Sequence, residues 1–371
     1  MRASRLRVTC HPRVPDARLW DSVIDAAGAP VFYRASIVTA YNSQPLQPTC
    51  DSRCFVAWRD GVPMAVLPLY LVPARDPFGE RAQAPRLWAI SHFWHCYDTR
   101  VPTLGHGNGL VAALWDAAAR QADDWGAAEF GVMNTAERGA ESAELARLAS
   151  RSIRRGPRYR ITLTEIHSFS DHLGRLRRSV AQDARRQLRR AEQAGVVSRI
   201  YRPPLPPEVI SRVCELLEFT AARYNPGYYD SRPVAHLLEN AGPTLRVPAL
   251  QIATDLVAAS VSFHDGRTLH NWAIGVEPTI REWFSPYVVL LKVSMDYAID
   301  NGCRVIELGR TNPDWKQRVG ARAVDLVTWM SDVRSEAPSS GRSPQEDLTL
   351  RELNFERVAN YRIASHGGMY Q

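Results

Sequence analysis

Apolar and polar positions alternate in a pattern that predicts the same series of elements twice along the chain. Residues 54–72 and residues 256–276 each contain two short apolar runs separated by an Asp-Gly pair, which indicates a β-hairpin. Each hairpin is followed by a helical pattern that stops at a glycine, Gly126 or Gly302, and then by another apolar run. The repeat predicts an α/β (α+β) protein with two tandem domains of one fold, each a mixed twisted sheet flanked by helices.

The segment between the two repeats predicts a helix over residues 168–195, because apolar residues recur there at helical spacing. Ser170 or Asp171 is the expected N-cap, and Gly195 is the expected end. A proline-rich link follows, and a Ser-, Pro- and Gly-rich stretch near the end of the chain predicts a mobile loop before a closing helix. The predicted divisions are a first domain over 1–160, the basic helix and link over 161–206, a second domain over 207–335, and the loop and helix over 336–371.

Composition indicates a folded protein without a membrane span. Of the 371 residues, 45% are apolar and 23% are charged, and no run approaches the ~18 apolar residues of a transmembrane helix. The basic start of the chain lacks the apolar stretch of a secretory signal, and the six cysteines are scattered, so we expect reduced thiols and a cytoplasmic protein. His92, His95 and Cys96 lack the second ligand pair of a structural zinc site, so no metal is predicted.

Positive charge is concentrated in one segment. The net charge is +7, but residues 151–202 alone hold 14 arginines and only four acidic residues. Several arginines along one helix attract an RNA backbone, whereas a solvated charged face is the other interpretation. Nothing in the pattern predicts base-specific reading or stable DNA binding. The arginines expected to contact RNA are Arg178, Arg185, Arg186, Arg189 and Arg190.

Three segments of the second half resemble a known family. They are LRRSVAQDARRQLRRAEQAGV at 176–196, LVAASVSFHDGRTLHNWAIG at 256–275 and GCRVIELGRTNPDWKQRVGA at 302–321. They are similar to the GNAT-fold branch that holds the Fem-type aminoacyltransferases, and SHFWHCYDTRVP at 91–102 resembles the related peptidoglycan biosynthesis or recognition proteins. The resemblance implies two tandem GNAT-like domains, acceptor side first and donor side second. It also implies that they move an amino acid from aminoacyl-tRNA, bound by the basic helix, to an amine acceptor.

The loop after the second hairpin bears on the donor. An ordinary acyl-CoA GNAT has a glycine-rich loop at this place, whose backbone N–H groups hold pyrophosphate. Residues 276–285 instead contain Glu277, Pro278 and Glu282, with Pro286 directly after them and no closely spaced glycines. This loop favours aminoacyl-tRNA as donor, with no tightly bound cofactor, over acyl-CoA. The glycine-rich stretch 105–109, directly before a predicted helix, is the best phosphate-cradle candidate in the chain.

Lys316 is the first catalytic candidate. The family has a lysine shortly before a glycine in the last strand–loop of its second domain, and Lys316 before Gly320 matches it. The residues themselves place Lys316 in a turn after a strand over 304–308, at the carboxyl end where α/β sheets bind ligands. Such a lysine holds a phosphate or the 3′ end of a charged tRNA, or stabilises an oxyanion. An exposed loop lysine is the other interpretation.

Glu307 and Arg310 follow on the same predicted strand. A carboxylate in an apolar strand is costly unless it is paired. Glu307 therefore has two open roles, as the base that takes a proton from the attacking amine or as an ion-pair partner of Arg304 or Arg310.

Further polar and aromatic residues are predicted to bind substrate. Tyr97, Asp98 and Arg100 are expected to form an acceptor-binding wall within the aromatic segment 91–102. The other expected contacts are His270 and Trp272 in the second hairpin, Asn312, Trp315 and Arg318 around Lys316, and Tyr224 in an aromatic loop.

The leading hypothesis is an acyltransferase that forms an amide from aminoacyl-tRNA and an amine, the amine belonging to a natural-product intermediate or a cell-wall precursor. The first alternative is an N-acyltransferase that uses acyl-CoA or an acyl carrier. The second is a non-catalytic polysaccharide- or RNA-binding protein. Fold by itself does not separate these three functions.

Overall fold

The computed structural model describes most of the chain. The described residues are 6–73, 86–105, 109–222 and 225–333. Tyr224, the centre of the 105–109 stretch, and the loop and closing helix predicted over 336–371 lie outside the described residues. The chain divides into two compact units, the first with residues up to 29, 33–155 and those from 327, the second with residues 30–32 and 156–326.

The first unit is built on a mixed sheet with helices on both faces. Its elements are β1 (Leu6–His11), α1 (Ala17–Ala27), α2 (Ala35–Ser43), β2 (Asp51–Arg59), β3 (Val62–Pro73), β4 (Leu87–Ser91), α3 (Leu110–Asp124), β5 (Glu129–Ala136), α4 (Ala140–Leu148) and the start of β6 (Arg151–Thr162). Strands β1 to β4 are antiparallel in chain order, and β5 joins β4 in parallel. Alternation along β2 turns Phe55 toward α3 and Val56 toward α1, so each face has its own apolar core.

The second unit repeats this plan. Its elements are the end of β6, α5 (Phe169–Gly174), α6 (Arg178–Gln193), β7 (Val196–Tyr201), α7 (Pro207–Ala222), α8 (Ser231–Asn240), β8 (Leu245–Ile252), β9 (Asp255–His264), β10 (Thr268–Val276), α9 (Pro286–Asp300), β11 (Val305–Glu307), α10 (Pro313–Arg318) and β12 (Arg322–Asp332). Strands β7 to β10 are antiparallel in chain order, and β11 joins β10 in parallel. Helix α9 packs on one face of this sheet. None of the described helices combines the length and apolar character needed to cross a bilayer.

Two strands divide their residues between the units. The residues of β6 from Gly156 onward belong to the second unit, where the strand lies antiparallel to β11. The residues of β12 from Val327 onward belong to the first unit, where the strand neighbours β5. Residues 161–206, predicted as a helix and link between domains, are part of the second unit.

Both predicted Asp-Gly hairpins are present, and the repeat between the units is confirmed with one correction. Asp60 and Gly61 turn the chain with positive φ angles of 50° and 83° between β2 and β3. The sequence aligns this hairpin with β9–β10. In the structure, however, β9–β10 leads directly to the parallel strand, and its equivalent in the first unit is β3–β4. The predicted hairpin alignment is therefore wrong by one strand, whereas the helix–strand pairs α3–β5 and α9–β11 correspond as predicted.

The basic segment forms two helices rather than the single helix predicted over 168–195. Helix α5 ends at Gly174 and α6 begins at Arg178; glycine is the poorest helix former after proline, so the break falls at a weak position. The N-cap is Ser168, whose hydroxyl accepts a hydrogen bond of 3.0 Å from the Asp171 N–H, and not Ser170 or Asp171 as predicted.

Candidate active site

Strands β10 and β11 pair for only three residues and then part. Strand β11 ends at Glu307, opposite His270, whereas β10 continues to Val276. The predicted strand over 304–308 is thus shorter at both ends, and Gly309, with a φ of 70°, turns the chain away from it. Within the described sheet, the end of β10 has no strand partner on the β11 side. Helix α7 lies against this end of β10, where the Val276 N–H donates to the Thr220 hydroxyl at 3.0 Å.

Glu307 lies at the point where the strands part, and it forms an ion pair with Arg158 of β6. Both side chains are buried, at 2% and 4% exposure. A buried carboxylate costs several kcal/mol unless it is paired, so the geometry favours the ion-pair role of Glu307 over the base role. Arg304, a partner considered from the sequence, is exposed. No spacing in the sequence connects Arg158 with Glu307, because only the placement of β6 beside β11 brings them together.

Lys316 is buried, and it lies in a helix rather than in the turn predicted for it. It is the only buried residue of α10 and is 6% exposed. Its Nζ lies 5.8 Å from the centroid of the Tyr159 ring, a cation–π distance. Burial lowers the pKa of Lys316 to about 7, and the negative charge of Glu307 acts in the opposite direction. The interpretation of Lys316 as an exposed loop lysine is wrong.

The other residues predicted around Lys316 are more exposed. Asn312 caps α10 in the left-handed conformation, with a φ of 59°, and accepts the Lys316 N–H through its carbonyl oxygen. Arg318 is exposed, and Arg310 is half-buried. Trp315 is half-buried, with its ring 6.0 Å from that of Tyr287 at the start of α9. These four residues lie within six positions of Lys316 in the sequence. Asn312 and Arg318 are exposed and therefore accessible to a ligand.

His270 and Trp272 lie on one face of β10 within a group of aromatic rings. His270 is buried, contacts the Phe32 ring at 5.1 Å, and lies 3.3 Å from the Asp265 carboxylate. Trp272 is buried and contacts the ring of Tyr229 at 5.5 Å. Because His270 is paired in register with Glu307, these aromatic residues and Glu307 share a face of the sheet.

Tyr97, Asp98 and Arg100 belong to the first unit. Tyr97 is 4% exposed, and Asp98 and Arg100 are 3.9 Å apart. The backbone of Arg100 is held by the Tyr33 hydroxyl, which accepts its N–H at 2.9 Å and donates to its carbonyl. The predicted wall is therefore fixed in place, with Asp98 and Arg100 as its partly exposed polar groups.

The histidines and cysteine of the same segment lie in an aromatic core. His92, His95 and Cys96 are buried, and the His92 ring contacts those of Tyr33 and Tyr70 at 4.7 and 5.5 Å. Across the part of the chain that the structure describes, no three His, Cys, Asp or Glu side chains form a group able to hold a metal ion.

Helix α6 presents its arginines to solvent. It packs through Ala181, Ala184 and Ala191, which are buried. The opposite surface carries the five arginines predicted to contact RNA, all of which are exposed: Arg178, Arg185, Arg186, Arg189 and Arg190. Arg186 also forms an ion pair with Asp183 one turn earlier. The helix therefore offers a row of cations that a polyanion can reach.

The segment that holds these residues resembles a known protein family. Residues 178–317, which span α6, the β10–β11 pair and Lys316, match the acetyltransferase (GNAT) domain family. This part of the chain is therefore similar to GNAT acetyltransferase domains. No curated protein sequence matches the chain.

Solved structures share the fold of this protein over nearly the whole chain. FemX has 11% identity and a TM-score of 0.61, covering 87% of this chain and 96% of its own. A tandem GNAT protein from the clavulanic acid biosynthesis pathway has 14% identity and a TM-score of 0.50, with coverage of 90% and 100%. L-PGS from Bacillus licheniformis has 10% identity and a TM-score of 0.53, with coverage of 92% and 98%. At these identities the likeness shows a common Fem-like, tandem GNAT fold.

The loop before α9 has several of its backbone N–H groups engaged in hydrogen bonds within the second unit. The Ser285 N–H, at the start of α9, donates to the Gln187 side chain of α6 at 2.9 Å, and Pro286 has no N–H. The N–H groups of Val288 and Val289 donate to the Ser285 carbonyl. The backbone donors that would hold a pyrophosphate are thus largely occupied or missing.

The two glutamates of this loop differ in their surroundings. Glu277 forms an ion pair of 2.8 Å with Arg212 of α7, so its charge is partly neutralised. Glu282 is exposed at the end of a short 3-10 helix, Pro278–Glu282. A pyrophosphate at this loop would therefore be repelled mainly by Glu282, and the occupied backbone donors are the stronger obstacle to its binding.

Proposed function

We propose that this protein is a GNAT-superfamily aminoacyltransferase, which takes an amino acid from aminoacyl-tRNA and joins it to an amine in an amide bond. The observation that carries the proposal is the closed donor loop at the start of α9, because a CoA-dependent GNAT needs free backbone N–H groups there. The exposed arginines of α6, in the same unit, offer contacts for a tRNA backbone. The second unit is accordingly proposed as the donor side, the first as the acceptor side, and the cytoplasm as the place of the reaction.

The proposed reaction needs no covalent intermediate on the protein. An aminoacyl ester is already activated, so catalysis consists mainly of positioning the amine against the carbonyl carbon and stabilising the oxyanion that forms. Lys316 is the proposed group for the oxyanion or a donor phosphate. His270, Trp272, Asn312, Trp315 and Arg318 are proposed to surround the substrates. The proposed acceptors are amines of cell-wall precursors or natural-product intermediates.

Acceptor-dependent loss of the amino acid from tRNA tests the proposal. We expect the purified protein, incubated with a pool of charged tRNAs and an amine acceptor, to accelerate deacylation of one tRNA class and to form an amide detected by mass spectrometry. The matched control is Lys316→Met, which keeps the apolar stem and removes the ammonium. If no charged tRNA is consumed in any acceptor mixture while acyl-CoA is consumed, the aminoacyl-tRNA proposal is rejected in favour of the N-acyltransferase.

Acetyl-CoA is expected to bind no tighter than about 1 mM, or near −4 kcal/mol. The physical reason is the closed loop, in which Gln187 and Pro286 remove two of the donors that would meet the pyrophosphate. Isothermal titration calorimetry measures this affinity. The double variant Gln187→Ala, Pro286→Ala releases both positions and should bind acetyl-CoA more tightly than the wild type.

Two results would contradict this expectation in different ways. Micromolar binding that is lost when residues 276–285 are altered would place CoA in the second unit and favour the acyl-CoA alternative. Micromolar binding that instead depends on Gly105 and Gly109 would place the donor in the first unit.

A further inference from the structure

Three ionisable groups of the second unit are buried, and they are called the buried network below: Arg158 and Glu307 form an ion pair, and Lys316 lies over the ring of Tyr159, the residue after Arg158. Lys316 is close enough for the Glu307 charge to affect its pKa. All three side chains are no more than 6% exposed. The charge of Glu307 therefore acts on both Arg158 and Lys316, and its ion pair is with Arg158.

The remaining charged or titratable groups near Lys316 come from several elements. Tyr159 of β6 lies under its Nζ, and His172 of α5 bonds the Val319 carbonyl just beyond α10 through Nε2 at 2.9 Å. Burial lowers the pKa of His172 as well, so this ring adds no charge at neutral pH. These elements and the residues beside them also carry Arg160 of β6, Arg310 after β11, Tyr287 at the start of α9, and Asp314 and Arg318 of α10. Among the described residues Lys316 forms no ion pair of its own.

The two cations of the network are not equivalent. A guanidinium stays protonated at every pH that a protein survives, whereas a buried ammonium without a close anion readily loses its proton. Since Arg158 bonds directly to Glu307, the carboxylate compensates Lys316 only in part. Burial therefore destabilises the protonated form of Lys316, and no direct ion pair among the described residues offsets this effect.

We propose that Arg158 is a positioning residue that holds Glu307 as its own ion-pair partner and so leaves Lys316 free to carry a proton during aminoacyl transfer. This inference rests on the proposed function and deepens it. Neutral Lys316 is the form that starts the reaction. Lys316 becomes positively charged only while the oxyanion exists, so its charge favours the transition state over the bound substrate.

The proposed aminoacyl transfer moves one proton from the amine to the tRNA ribose by way of Lys316. The acceptor nitrogen attacks the ester carbonyl carbon, the C–N bond forms, and the carbonyl electron pair moves onto oxygen. The nitrogen gives one proton to Nζ of Lys316, which becomes an ammonium. The oxyanion then re-forms the carbonyl, the C–O bond to the tRNA ribose breaks, and the ribose oxygen takes the proton from Nζ. The products are the amide and an uncharged tRNA, and Lys316 is neutral again.

The chain offers a direct measurement, because it has only two lysines. Protein labelled with carbon-13 at the lysine Cε gives two NMR signals whose shifts follow the charge on each Nζ. Lys292 is the internal reference, since its side chain is 43% exposed and paired with Asp296 at 2.5 Å. The Lys316→Met variant identifies the second signal. We expect the Lys316 signal to titrate near pH 7.

Two variants should move the Lys316 midpoint in opposite directions. Arg158→Gln releases Glu307 to Lys316 and should raise the midpoint by about one pH unit or more, and Glu307→Gln removes the anion and should lower it. If Arg158→Gln fails to fold, the double variant Arg158→Met, Glu307→Leu removes the whole ion pair. Its midpoint should then lie above that of Glu307→Gln, which leaves the Arg158 charge without its ion-pair partner. The inference is overturned if the wild-type Lys316 midpoint lies above about 9, or if the midpoint is the same in the wild type and in the Arg158 and Glu307 variants.

The pH profile of turnover completes the test. Because neutral Lys316 starts the reaction, kcat should rise with pH through the Lys316 midpoint, and this limb should shift with the midpoint in each variant. If the pH at which kcat rises does not change in a variant whose NMR midpoint has moved, the proton-carrying role of Lys316 is overturned. The NMR titration needs no donor, so a complete absence of aminoacyl transfer would reject the proposed function without altering the result for the network.

Discussion

Turnover at least ~100-fold below that of the wild type is the expected result of replacing Lys316 with alanine. Lys316 is the buried lysine that follows the point where β10 and β11 part. In the proposed mechanism its removal takes away the group that accepts the proton and carries a positive charge while the oxyanion exists. The loss should appear in kcat rather than only in KM, because the charge is needed in the transition state. The measurement is steady-state turnover of the charged tRNA class and acceptor identified by deacylation.

The controls for Lys316 separate chemistry from folding. Lys316→Met keeps most of the buried apolar stem, and it should be as inactive as the alanine variant with a melting temperature no lower than that of the wild type. Lys292→Ala removes the other lysine of the chain, which is partly exposed on α9, and should leave turnover unchanged. Near-normal kcat in both Lys316 variants would remove this residue from the site.

Replacing Arg185, Arg186, Arg189 and Arg190 with glutamine is expected to weaken tRNA binding and to flatten its dependence on salt. Each phosphate that the variant no longer neutralises lowers the slope of log affinity against log salt by roughly 0.9 or less, so four arginines account for up to about 3.6. The four side chains are exposed on α6, and their replacement leaves the buried alanine face intact. Fluorescence anisotropy with labelled tRNA at several salt concentrations measures the slope.

A matched control carries the same change in net charge at another place. Arg18, Arg120, Arg138 and Arg147 are exposed in the first unit, away from α6 in the chain. Their replacement with glutamine should leave the slope close to that of the wild type. Equal slopes for the α6 variant and the wild type would show that α6 is a solvated charged face, the interpretation that the sequence left open.

Local signals in the sequence determined much of the fold. The Asp-Gly pairs place both hairpin turns, because left-handed φ angles at residues such as Asp60 and Gly61 match the twist of the flanking strands. Gly126 and Gly302 place the ends of α3 and α9 in the same way. The charge of α6 and the position of Lys316 before Gly320 were also visible in the chain. These features depend on a few neighbouring residues, so one sequence is enough to read them.

Only the tertiary structure decided which residues complete the site. Arg158 and Glu307 are 149 positions apart, and they pair because β6 adds to the sheet of the second unit beside β11, a strand order that no local pattern encodes. The same placement puts the Tyr159 ring under Lys316 and buries that lysine, which changes an ordinary surface cation into one with a pKa of about 7. The Gln187 side chain closes the start of α9 across 98 positions. Burial and long-range pairing set the charge and the hydrogen-bonding capacity of each group, and both follow from packing rather than from sequence neighbours.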